Sequence, residues 1–224
     1  MGARNPRSAT TRKVLAVGAG VAALGLGITA TVAAWTDNEW VFGGNAAGDG
    51  PGIGTSTFEV QQNSDPAFAD AAWTDEEANP GGALTFGVQA LALTPGDSVY
   101  APVALRTTST SIGGEVTLQT AVAAAGITAN DPAGLLWGAL DVRVATVADD
   151  DAFTCDAGAF TAGVIMSGDL GTAVATGPQT LAAASGSTQY YCFEITLPDT
   201  LPGDAEDYMG LTVAPAWQFE AESD

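Results

Sequence analysis

Turn signals constrain this chain more than any other feature. Pro80-Gly81-Gly82, Pro95-Gly96-Asp97, Gly113-Gly114, Gly177-Pro178 and Pro202-Gly203-Asp204 recur at strand-length spacing. Glycine reaches backbone angles that other residues avoid and proline withholds a donor, so each signal interrupts a regular element. Between them lie short runs with period-two alternation and many β-branched or aromatic residues, the pattern of half-buried strands. The candidates are Thr57–Gln61, Leu84–Leu91, Ser98–Arg106, Glu115–Ala123, Leu140–Val147, Phe160–Met166, Gln189–Leu197 and Leu211–Ala221. In the last, Val213, Pro215, Trp217 and Phe219 share one parity, and Pro215 points to an edge position or a bulge. Helix is sparse. Asp131 before Pro132 suits an N-cap and first helical position, with Leu135, Leu136 and Trp137 to bury; Asp65–Glu77 is a weaker second candidate. Many strands and little helix predict an all-β fold: a two-sheet antiparallel β-sandwich of jelly-roll type with one or two short helices.

A different grammar governs the first residues. Arg4, Arg7, Arg12 and Lys13 precede an uncharged run from Val14 to Ala34, 21 residues long, which ends in small residues before Trp35. Charge, apolar run and small residues in that order predict an export signal. Cleavage after Ala33 places Thr31 three residues upstream, and cleavage after Ala34 places Val32 there. The run also approaches bilayer-spanning length, so an uncleaved leader would serve as a membrane anchor. The chain thus divides into a signal peptide, 1–34, a Gly-rich segment, 35–55, that could act as a donor strand, and a β-sandwich domain, 56–224.

Beyond the leader only Arg106 and Arg143 are basic, against 26 acidic residues, a formal charge of −24. Phosphate backbones and anionic lipid repel such a surface, which excludes nucleic-acid binding and limits membrane association to the leader. Cys155 and Cys192 are the only cysteines, and in an oxidising compartment they are expected to pair. Closing that loop stabilises the fold by roughly 3–4 kcal/mol in the chain-entropy account.

Catalytic chemistry finds little support. The sequence has no histidine, so zinc hydrolases built on imidazole and the usual base of a serine or cysteine nucleophile lack their parts. No enzyme activity, cofactor or metal is expected. Asp149-Asp150-Asp151 with Asp156 is the densest carboxylate cluster, but it lacks the alternation and glycine of a calcium loop and reads as a solvated loop. Leu197-Pro198-Asp199-Thr200-Leu201 imitates a sortase signal with leucine in place of the final glycine, and reads as a strand-to-turn connection. Trp73, Trp137, Trp217, Tyr190 and Tyr191 are expected in the core or on a sheet face. Trp35, Trp40, Val41 and Phe42 are the candidate partner-binding residues, because an open sheet edge accepts an extended apolar segment as an added strand.

Three stretches together resemble the TasA/camelysin family. They are the junction Ala33-Ala34-Trp35-Thr36-Asp37, the turn Leu93-Thr94-Pro95-Gly96-Asp97 leading into Val103, Leu105 and Gly114–Leu118, and the close, Asp207-Tyr208-Met209-Gly210 followed by Trp217-Gln218-Phe219-Glu220-Ala221. The resemblance implies export by a SipW-type signal peptidase and a jelly-roll subunit outside a Gram-positive cell. It further implies fibres of the biofilm matrix, in which the processed N-terminal segment pairs with the sheet of the next subunit. This chain differs from that pattern in its cysteine pair, its lack of lysine beyond the leader and its charge. Subunits this acidic repel at low salt, whereas at physiological ionic strength screening over about 8 Å lets interfacial pairing compete. The other reading is a monomeric surface module that binds carbohydrate, calcium or a protein.

Overall fold

A computed structural model describes residues 38–149 and 152–223. The expected leader, its cleavage residues Thr31, Ala33 and Ala34, and Trp35 lie outside the described residues. The chain parts into two compact units between Ile53 and Gly54.

The described part of the first unit is a tight turn with an apolar approach. Gly44 and Pro51 pair antiparallel, and Gly52 N donates to Gly43 O at 2.9 Å. Asn45 closes the tip, its Nδ2 donating to Asp49 Oδ1 at 2.9 Å. Gly52 is required here, because a Cβ would collide with the Gly44 carbonyl.

The second unit is all-β and antiparallel, with ten strands among its described residues: β1 Val60–Asn63, β2 Ser98–Thr107, β3 Gly114–Leu118, β4 Val122–Ala123, β5 Asp141–Ala148, β6 Val164–Asp169, β7 Gln179–Leu181, β8 Gln189–Thr196, β9 Pro215–Ala216 and β10 Phe219–Ser223. They form a five-stranded sheet in the order β1-β2-β8-β5-β6, a three-stranded sheet β10-β3-β7, and a pair β4-β9. Among the described residues helix is confined to α1, Leu135–Ala139, and short 3-10 turns.

Strand β8 organises the core. It lies between β2 and β5, with Tyr191 opposite Val103 and Phe193 opposite both Ala101 and Val144. Tyr191 and Phe193 are each 0% exposed. Across the core, Tyr191 meets Phe219 and Phe193 meets Trp217, each with ring centroids 4.8 Å apart. Val116, Leu118 and Leu181 complete the facing side. The alternate residues of β8, Tyr190, Cys192 and Glu194, are buried as well. A strand covered on both faces reads as a near-continuous apolar run, which explains Tyr-Tyr-Cys-Phe.

Several elements differ from the sequence expectation, each for a local reason. Leu84–Leu91 is not a strand: Gly87 sits at φ 81° and Val88–Leu91 coil into a 3-10 turn, while Leu84 and Phe86 still pack on the core. Phe160 belongs to a 3-10 turn, Ala157–Thr161. β6 begins only after Gly163, at φ 67°, where a side chain would strike the Thr146 carbonyl. Glu115–Ala123 splits into β3 and β4, and Leu211–Ala221 into β9 and β10, in different sheets. Asp131 is not the N-cap residue of α1, a place taken by Gly134, left-handed at φ 67°, but Asp131 Oδ2 still accepts from a free first-turn amide, Trp137 N, at 2.8 Å. Asp65–Glu77 contains only the 3-10 turn Asp70–Ala72.

Candidate functional site

Two features of the molecule invite a partner, and a third region is closed against one. The first is the N-terminal apolar approach. Trp40, Val41 and Phe42 are 93%, 96% and 71% exposed, and Ile53 beyond the turn is also exposed. Three consecutive large apolar residues in open solvent forgo most of the burial free energy such side chains normally recover.

The second is a groove of about 850 Å³ in the second unit, lined by residues of all three sheets. Its floor is the core itself, including Val103, Leu105 and Phe193. Leu84 and Phe86 line one wall, and Trp217 and Phe219 the other. End strands β1 and β10 border it. β1 is partly covered, since Gln62 exchanges backbone hydrogen bonds with Thr74 at 2.9 Å in each direction. β10 pairs with β3 on one side and has no strand partner on the other among the described residues. Its open edge offers unpaired backbone groups beside an apolar floor. The groove's charged lining consists of Glu59, Asp75, Glu76 and Glu77, without a lysine or arginine.

The closed region is the outer face of the five-stranded sheet. Cys155 and Cys192 form the expected disulfide, with Cα atoms 5.0 Å apart, and it ties the loop before β6 to the middle of β8. Under that loop Tyr190 meets Phe68 at 4.9 Å and Phe153 at 5.6 Å. Glu194, 4% exposed, accepts from Arg143 Nε and from the Tyr100 hydroxyl at 3.0 Å. Arg143 also lies 4.7 Å from the centre of the Phe160 ring. The hydrogen bond to Glu194 holds the Arg143 pKa above its ordinary value, and burial followed by Glu194 raises that of Tyr100. Arg106 stacks over Trp73 at 4.0 Å. Both arginines alternate with core-facing residues, so they sit on the face opposite the groove floor.

The remaining sequence candidates fall into place around these. Trp137 and Trp217 pack against the core, Tyr191 lies within it, and Tyr190 and Trp73 stand on the outer sheet face. Burial raises the Tyr191 hydroxyl well above its usual range. Asp149 and Asp156 are occupied locally, accepting from Thr188 N and Gly158 N at 2.7 Å each; Asp150 and Asp151 lie outside the described residues. No group of three or more cysteine, aspartate or glutamate side chains is arranged to hold a metal ion among the described residues. In the Pro-Gly-Asp turn, Asp97 Oδ2 accepts from the Thr94 amide and hydroxyl at 2.7 Å, which lowers its pKa. The groove had no signal in the sequence, because its walls come from residues 58–86 and 213–221, far apart along the chain. No known protein family matches the chain, and no curated protein matches it either.

Proposed function

We propose that this protein is a non-catalytic structural subunit, exported to the surface or extracellular matrix of a Gram-positive bacterium, with a TasA-like jelly-roll domain. In this reading the leader is removed by a SipW-type peptidase near Ala33 or Ala34, and the freed Trp35–Phe42 end adds as a strand to a neighbouring subunit. One observation carries the proposal: the chain holds both an unburied apolar segment, Trp40-Val41-Phe42, and a groove with an apolar floor beside the open edge of β10. Strand addition satisfies both, supplying backbone partners to the edge and burial to the segment. The disulfide is compatible with an extracellular setting.

The experiment compares chains beginning at Trp35 and at Gly52 by electron microscopy across salt and pH. Filaments from the longer chain alone support strand donation; two monomeric preparations sink it. A second reading, a monomeric binding module, is favoured by a cleft of about 360 Å³ lined by Ile127, Asp131, Trp137 and Val213, where an aromatic wall stands beside a carboxylate. Retention of a sugar on a glycan array would bear that reading out.

A further inference from the structure

We infer that the preferred occupant of the groove is an extended apolar segment carrying lysine or arginine on alternate positions, from a different protein, in preference to the N-terminal segment of a second copy. The inference rests on the reading of the groove as a strand acceptor and changes only the donor: the neighbouring subunit that fills this groove is a different protein, and the freed Trp35–Phe42 end is left to add to a sheet other than that of a second copy. It turns on charge.

An added strand next to β10 has a fixed alternation. One set of side chains points to the groove floor with Phe219 and Ala221, and the other points outward with Glu220 and Glu222. Directly opposed cross-strand neighbours of opposite charge stabilise a pair, and like charges oppose it. Outward positions of an incoming strand therefore meet Glu220 and Glu222, and Glu59 and Asp75-Glu76-Glu77 line the same groove. Every charge the groove and its edge present is negative.

The chain's own N-terminal segment answers this poorly. Between Trp35 and Ile53 it carries Asp37, Glu39 and Asp49 and no lysine or arginine, the α-ammonium left by cleavage being its one cation. Neither arginine of the second unit compensates, because Arg143 is bound to Glu194 and Arg106 is stacked on Trp73, both on the opposite face. Self-addition places carboxylate against carboxylate, an arrangement of the kind edge strands use to discourage pairing with copies of themselves. A basic partner strand turns the same residues into attraction, and the effect on encounter rate is greatest at low salt. The acidic edge thus acts as a selectivity filter: apolar burial supplies binding and charge chooses the partner.

The test titrates the purified chain with four fluorescent nine-residue peptides: alternating lysine and valine, alternating glutamate and valine, alternating lysine and serine, and residues 36–44 of this chain. At 20 mM salt the lysine–valine peptide should bind about tenfold or more tighter than each of the others, the gap shrinking to about threefold or less at 500 mM as screening shortens. Glu220→Gln with Glu222→Gln should narrow the gap, whereas Glu206→Gln, away from the groove, should not. Equal binding of the lysine–serine peptide overturns the inference, since charge alone would then suffice. Equal or tighter binding of the residue 36–44 peptide at low salt also overturns it and leaves the strand-acceptor reading standing. If no peptide binds, both fail.

Discussion

The two flanks of the five-stranded sheet are treated in opposite ways. On the outer face the chain closes its own surface: a disulfide fixes the cover, rings from Phe68, Phe153 and Phe160 fill it, and both arginines are consumed there. On the flank bordered by β1 and β10 the core reaches an open groove whose charged lining, Glu59 and Asp75-Glu76-Glu77, is entirely acidic. One chain therefore contains a finished surface and an unfinished one. Scarce cations are spent on the finished side. What remains is a flank whose shape invites a strand and whose charge selects among strands.

The largest effect is expected on the groove side of β8. Phe193→Ala empties a site that is 0% exposed and packs on Trp217 beside the groove. A loss of about 3–5 kcal/mol in urea unfolding is expected, as for other buried aromatics. A smaller effect comes from opening the closed side. Replacing both Cys155 and Cys192 by serine should cost roughly 3–4 kcal/mol. Hydrogen exchange should then rise at residues 152–163 while the amides of β10 stay as they were. Equal loosening of both flanks would break the distinction.

Next comes the ion pair. Arg143→Met leaves Glu194 buried with the Tyr100 hydroxyl as its remaining side-chain donor among the described residues, and the arginine side chain is 43% exposed, so a cost of about 1–2 kcal/mol is expected. Combining it with Glu194→Gln should recover part of that loss, and failure to recover any would show that the pair is not coupled. The smallest effect is at the sheet ends. The Asp97 pKa is lowered by the Thr94 amide, so its contribution is present above the ordinary carboxyl value of 3.8 and is lost as pH falls through the lowered one. Asp141 runs the other way: burial and then Asp169 raise its pKa, so its ionisation removes stability as pH rises. Asp97→Asn should flatten the acid side of the stability curve, and Asp141→Asn should lift stability near neutrality. Both are read by thermal melts between pH 2 and 7.

The parts of the fold legible in the sequence were those with long, self-consistent patterns. β2, β5 and β8 fill most of the runs 98–106, 140–147 and 189–197, and the pairing of two lone cysteines followed from their number. Short elements were opaque for a physical reason. β7 is three residues, Gln-Thr-Leu, too few to display a period, and its identity comes from pairing with β3. Gly87 and Gly163 divided apolar runs that looked continuous, because left-handed backbone is not signalled by the neighbouring side chains. Of the candidate site, the exposed aromatic segment was visible as Trp-Val-Phe in a Gly-rich stretch, although its closed turn at residues 43–52 was not. The groove was invisible, since tertiary packing creates it from segments more than a hundred residues apart.

Hydrogen exchange on the purified chain with and without saturating lysine–valine peptide tests the central claim most directly. If the open flank accepts an added strand, the amides of residues 219–223 slow by about tenfold or more and those of 152–163 do not change. Unchanged exchange at β10, or protection appearing instead beneath the disulfide loop, would contradict it.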